Sequence, residues 1–215
     1  MAILKNINKV CAICKKEYHY QELGEIDVIG MRDLDTRPPG MLRSMQHVLL
    51  QKCPFCGYVC EDISKNNEGI TIADLENEEY QNILKDKNMN FAIKKFVLRG
   101  ELLKNKNHVK AGMAYLKAAW LSDDAKHHRL SKIMRSKAIK YLELSLEQEE
   151  NENIRLIIVD MYRRIGMFEE AKEYAMYILS NFGLENYKVN ILNYQIDLCN
   201  REDTLDHTIP GNYHF

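Results

Sequence analysis

Cys53-Pro54-Phe55-Cys56-Gly57-Tyr58, read together with Cys11-Ala12-Ile13-Cys14-Lys15-Lys16, decides the architecture of this chain. Each Cys-x2-Cys pair can turn two thiolates towards one face of a tight turn. Two such turns facing each other make a closed tetrahedral site for a soft cation. Pro54 stiffens the second turn, and Gly57 permits the left-handed backbone just past its second ligand, so that backbone N–H groups point at the sulfurs. The first pair lacks that glycine but places Lys15 and Lys16 beside the thiolates, where they offset the charge of a Zn(Cys)4 centre. The expected ligands are therefore Cys11, Cys14, Cys53 and Cys56, and the expected cofactor is a structural Zn2+. Four protein ligands leave no position for water or substrate.

Three other chemistries fit parts of the pattern. Rubredoxin-like iron uses the same four thiolates and ranks behind zinc. A redox dithiol at Cys-Pro-Phe-Cys wants its first cysteine at a helix N-terminus, and Gly57 is a poor way to begin a helix. Disulfides are disfavoured in a reducing compartment. A cytoplasmic location is the expectation, because the opening Met1-Ala-Ile-Leu-Lys lacks the apolar core of a signal peptide. No apolar run approaches the ~20 residues that span a bilayer, so no membrane partner is expected.

Proline divides the chain. Pro38, Pro39 and Pro54 lie in the first quarter, Pro210 in the tail, and none between. The proline-free stretch carries apolar residues at helical spacing, which predicts helices over 73–87, 89–105, 108–122, 128–148, 152–166, 168–182 and 186–200. A weak repeat aligns Ala138 and Tyr141 with Ala171 and Tyr174 at an offset of 33 residues, close to the tetratricopeptide period. Tyr162, Gly166, Phe168 and Ala171 add more of that pattern; an ordinary helical bundle is the alternative. The expected fold is α+β and mostly α. A small zinc-ribbon β module (1–65) with a long inserted hairpin or loop precedes an all-α tetratricopeptide-like array (70–202) and a tail (203–215).

The 38 residues between Cys14 and Cys53 exceed the ~15–20 of an ordinary ribbon. Short strands are expected around 16–20, 26–31 and 45–52. Some 65 residues with few aromatics bury little core, whereas zinc–thiolate binding of order 10–16 kcal/mol can carry such a module. Cys60 reads either as a spare ligand or as a small buried strand residue, the second being favoured, and Cys199 as core. None of the seven histidines has ligand spacing with the cysteines. In Asp33-Leu34-Asp35-Thr36-Arg37-Pro38-Pro39, Pro38 forces Arg37 into extended geometry. Asp33, Asp35 and Arg37 then share one face, as a polar patch for a peptide or anion or as an internal ion-pair lattice.

The order Cys-x2-Cys, Asp-Leu-Asp-Thr-Arg-Pro-Pro, Cys-Pro-x-Cys-Gly-Tyr and then Lys117-Ala-Ala-Trp120 resembles an uncharacterised bacterial family, catalogued as a domain of unknown function. The resemblance implies a zinc-ribbon-like start, a tetratricopeptide-like helical remainder and the ligands Cys11, Cys14, Cys53 and Cys56. It implies no activity.

A net charge of −1 excludes a global basic field. The leading functional reading is a non-catalytic adaptor whose helical face, lined by residues such as Tyr115, Lys117, Tyr162 and Arg163, binds a protein or peptide. The runner-up is nucleic-acid binding through Lys9, Lys15, Lys16, Arg37, Arg43 and Lys52, diluted by Glu17, Glu22, Glu25, Asp27, Asp33 and Asp35. A thiol redox enzyme comes third.

Overall fold

The computed structural model of the chain describes residues 4–26 and 28–211. Met1 to Ile3 of the opening segment, Asp27 of the expected strand 26–31, and 212–215 of the expected tail lie outside the described residues.

Two small antiparallel hairpins come first. β1 (Leu4–Val10) pairs with β2 (Glu17–Leu23) in the register Leu4↔Leu23 to Val10↔Glu17, and the first cysteine pair forms their turn. The chain then leaves the hairpin, runs through a short α1 (Gly40–Ser44) and a 3-10 turn at Gln46–Val48, and returns as β3 (Gln51–Lys52). β3 pairs with β4 (Val59–Cys60) across the second cysteine pair. Helices α2 (Ile72–Glu76), α3 (Glu78–Lys85), α4 (Phe91–Leu103), α5 (His108–Asp124), α6 (His128–Leu146), α7 (Glu152–Ile165), α8 (Phe168–Asn181) and α9 (Asn186–Asn200) follow.

The fold is α+β and mostly α, as the sequence indicates. The start signals are local: the side chains of Asn90, Asn107 and Asn151 accept N–H bonds at the beginnings of α4, α5 and α7. Gly166, at φ 90°, ends α7. The expected helix 73–87 is two helices, because the Asn77 side chain caps a new start at Glu79 and Tyr80.

The strands differ more. The expected strand at 16–20 is the beginning of β2. No strand forms at 26–31 among its described residues: Ile29 is 82% exposed, and Gly30 turns the chain at φ 116° against Pro39. Of 45–52 only Gln51 and Lys52 are strand, since Val48 and Leu49 donate back to Met45 and Gln46 as a 3-10 turn. β1 and β4 fall outside every expected strand.

Most of the buried apolar residues form one cluster that runs from Cys11, Tyr20, Cys53 and Tyr58 through Ile93 and Phe96 to Trp120 and Met161. A second cluster beneath α7 to α9 includes Leu34 and Ile209. Helices α5 and α6 approach closely at Gly112, where a Cβ would stand 2.6 Å from Leu142 Cγ. Ala138 on α6 and Ala171 on α8, the paired positions of the weak repeat, are both fully buried.

The segment Asp33–Arg37 is a tight turn and not an extended strip. Thr36 sits at φ 68° and donates to Asp33 O, and Asp33 N–H donates to Arg37 O. The turn is driven into the helices. Trp120 Nε1 donates to Asp35 Oδ2 at 2.6 Å, Arg135 lies 3.7 Å from the same carboxylate, and Arg37 pairs with Asp124 at 2.5 Å. Leu34 N–H donates to His207 O, and Ile209 N–H to Arg32 O, so the tail closes over it.

Asp35 is 1% exposed and accepts the Trp120 indole N–H, while Arg135 keeps Asp123 as its nearer partner at 2.7 Å, so removing Asp35 strands an indole N–H in the interior. An Asp35→Ala chain is expected to lose about 1–3 kcal/mol of unfolding free energy in a urea titration. A loss below about 1 kcal/mol, the worth of an exposed pair, would show that the turn does not anchor there.

Candidate metal centre

The two cysteine turns are copies of one another in hydrogen bonding. In the first, Lys15 N–H donates to Cys11 O and Cys11 N–H to Lys16 O, both at 3.0 Å. In the second, Gly57 N–H donates to Cys53 O at 3.1 Å and Cys53 N–H to Tyr58 O at 2.8 Å. Gly57 is left-handed at φ 81°, and Lys15 takes the equivalent position at φ 60° despite its side chain. Its ammonium group donates to Ala12 O at 2.8 Å and ties the first turn shut. The missing glycine therefore alters the residue and not the geometry.

These turns bring the four sulfurs of Cys11, Cys14, Cys53 and Cys56 within 4.8 Å of one another. Across the turns, Cys11 Sγ lies 3.7 Å from Cys56 Sγ and Cys14 Sγ 3.6 Å from Cys53 Sγ. A tetrahedral ion with ~2.3 Å zinc–sulfur bonds sets its sulfurs about 3.8 Å apart. A disulfide needs about 2.05 Å, and all six cysteines are free thiols. Cys11 and Cys53 are fully buried while Cys14 and Cys56 are partly exposed, so the cluster sits at the edge of the core. Among the described residues this is the group of His, Cys, Asp and Glu side chains placed to hold a metal ion, and its all-sulfur donor set suits zinc.

The electrostatics favour a cation. Burial pushes the Cys11 and Cys56 thiols above the usual range. Burial also opposes ionisation of Cys53, but N–H groups of Cys56 and Phe55 and the neighbouring thiols outweigh it, and its thiol lies below the usual value. Four thiolates this close are compatible only with a positive charge between them.

The surroundings hold the turns in place. Ala12 N–H donates to Ile63 O at 2.9 Å, and Lys9 pairs with Asp62 at 2.6 Å, joining the first hairpin to the chain after β4. Tyr80 of α3 donates its hydroxyl to Gly57 O at 2.7 Å. Leu84 of the same helix fills the space where a Gly57 side chain would stand, 2.7 Å from its Cδ2. The buried Tyr20 hydroxyl lies beside the Cys53 sulfur.

Other expected site residues fall elsewhere. Cys60 is buried on β4, its thiol directed at Lys65 O and pushed up to about 12 by burial, outside the four-sulfur group. Cys199 is buried on α9 and pushed up to about 11. Asp33, Asp35 and Arg37 are each at most 5% exposed, and every partner found for them is internal: Asp33 holds Arg43 at 2.6 Å. Burial pushes Asp33 up to about 6, against the pull of Arg43. Tyr115 and Arg163 are wholly buried and line no outer face. The Tyr115 hydroxyl donates to Glu101, and Arg163 holds Asp160 and the carbonyls of Asp203 and Leu205. Tyr162 is partly exposed and donates to Glu143, and Lys117 lines a small pocket with Arg99 and Glu61.

Half of the expected basic set of the ribbon is consumed: of its six members, Lys9, Arg37 and Arg43 hold carboxylates. No helix follows Cys-Pro-Phe-Cys, since Gly57 leads into β4, so the geometry that activates a redox dithiol is missing there. Spacing alone found the four ligands. The buttress from Tyr80 and Leu84 had no local signal, because it joins segments more than 20 residues apart.

A Gly57→Ala chain must accept both left-handed strain and the clash with Leu84. It is expected to lose about 2–4 kcal/mol in thermal or urea unfolding. Gly69, at φ 62° with open space around it, is the control, and Gly69→Ala should lose only about 1 kcal/mol. Equal losses would mean that α3 does not buttress the knuckle.

Searches among curated proteins and among solved structures found no match. A family model described as "Uncharacterized protein conserved in bacteria (DUF2225)" matches residues 4–200. With a sulfur cluster consistent with a zinc-ribbon-like start and a helical remainder, the chain belongs to that family.

Proposed function

We propose that this chain is a non-catalytic adaptor in which a structural zinc ion, held by Cys11, Cys14, Cys53 and Cys56, orders a ribbon against a helical partner-binding body. The observation that carries the reading is the four-sulfur cluster, with separations of 3.6 and 3.7 Å across the two turns. Four thiolates complete a tetrahedral shell, so the ion supplies folding energy and no Lewis-acid position. The surface that supports partner binding is the outer side of α8. Met176 is 52% and Tyr177 49% exposed there, one and two turns beyond the exposed Glu169, Glu170 and Glu173. Apolar anchors beside carboxylates suit a basic partner segment with its own apolar side chain.

Titration of the purified chain with a thiol reagent, before and after chelation, tests the metal half. The expected result is that four of the six thiols are masked until a chelator releases one zinc per chain. Rapid reaction of Cys53 and Cys56 with no metal released would contradict it. Co-purification from the native host tests the other half. A partner retained by the unaltered chain should be lost on Met176→Glu with Tyr177→Glu and kept on Lys132→Glu. An unchanged set of companions would exclude α8.

A further inference from the structure

A groove of about 490 Å3 opens between β2, the 3-10 turn with β3, and the start of α4, beside the sulfur cluster. That volume lies within the roughly 300–1,000 Å3 of ligand sites. Its lining contains Lys52, Lys95, His19, His47 and the rings of Tyr18 and Phe91, and no carboxylate. With two lysines and no carboxylate, this wall is positive in a chain whose net charge is −1.

The two lysines give the wall its charge. Lys95 is only 7% exposed, and its ammonium group donates to the carbonyls of His47 and Leu50 at 2.5 and 2.7 Å. Neither Lys95 nor Lys52 has an ion pair to a carboxylate among the described residues, so their charge faces the groove uncompensated by the wall. Burial and the charge of Lys52 push Lys95 down to about 8. A buried cation facing a second cation is stabilised by an anion in the groove. Both ammonium groups stand over one ring, Lys95 at 5.4 Å and Lys52 at 6.0 Å from the centroid of Phe91, which remains 60% exposed. Tyr18 is 46% exposed and meets Phe55, itself 51% exposed, edge to face at 6.1 Å. The positive end of α4, a helix of 13 residues, opens on the same space through Asn90, Phe91 and Ala92.

We infer that this groove binds a nucleotide unit of single-stranded nucleic acid, with the phosphate on Lys52 and Lys95 and the base against Phe91 or Tyr18. Cations alone would suit any anion. Exposed aromatic faces beside them add a demand for a planar ring, and a phosphate with a base meets both. The inference goes beyond the adaptor reading and does not depend on α8. It draws on Lys95 and Phe91 of the helical half, which the basic residues of the ribbon alone do not reveal.

Fluorescence anisotropy of a labelled twelve-nucleotide thymidine strand, at 50 mM salt with the metal-replete full chain, tests it. Binding is expected, weakening as salt is raised to 200 mM. Lys52→Glu and Phe91→Ala should each weaken it about tenfold, and Lys132→Glu, on the outer side of α6, by less than about twofold. Lys95 is left intact because it holds two carbonyls of the fold. Circular dichroism of the variants checks that they remain folded. Adenosine monophosphate as competitor separates the sources. If it displaces the strand at equal concentration per nucleotide, the ligand is a free nucleotide carrying the same chemistry; if it does not, the ligand is the strand. Displacement by inorganic phosphate or polyglutamate as effectively as by nucleotide would overturn the proposal, reducing the groove to an anion site. No binding, or binding indifferent to both Lys52→Glu and Phe91→Ala, would overturn it as well.

Discussion

Four sulfurs within 4.8 Å of one another at the edge of an apolar core set the constraint on which the ribbon depends. Two of them are wholly buried, and burial opposes their ionisation. The hairpin backbones cannot supply an alternative reason to converge. β3 and β4 are two residues each, and β1 is exposed along nearly its whole length. Strand pairs this short are marginal on their own. A cation held between the sulfurs would turn a repulsive cluster into a bonded one, with the matched knuckles joining the two hairpins at that point.

The ribbon is not an appendage. Its cysteines belong to the same buried cluster as Phe96 of α4 and Trp120 of α5, and Tyr80 of α3 bonds to the second knuckle. A second tie is polar: the turn at Asp33–Arg37 inserts Asp35 between Trp120 and Arg135, while the tail closes behind it at His207 and Ile209. The long insertion between the cysteine pairs thereby acquires a physical role. It carries a buried carboxylate to the far helices and returns in time to form β3. Lys95 adds a third tie by capping two carbonyls of the returning segment. Loss of the ion should therefore be felt in α3 and α4 before it is felt in α8 and α9.

What the sequence disclosed was local. The ligand spacing is read directly from Cys-x2-Cys, and the helices follow from apolar periodicity with Asn and Gly at their ends, as at Asn107, Asn151 and Gly166. Strands were harder because β1 and β2 bury little and show no clean alternation, and because the apolar run at Val28 and Ile29 lies exposed beside a glycine turn. The fate of Asp35, Tyr115 and Arg163 was invisible for a different reason. Each is a polar side chain whose burial is decided by partners 85, 14 and 40 or more residues away. The groove has the same character, since Lys52 and Lys95 come from opposite sides of the sulfur cluster's connection to α4.

The four-sulfur cluster, the acidic and apolar outer face of α8 and the carboxylate-free groove beside the ribbon are the features that carry the proposed roles. What sits between the four sulfurs decides whether the ribbon is metal-ordered. X-ray absorption at the zinc edge of the purified chain measures that directly. The expected result is zinc bound by four sulfur atoms at about 2.3 Å with no nitrogen or oxygen neighbour. A shell containing nitrogen or oxygen, or a chain that folds with no zinc at all, would contradict it.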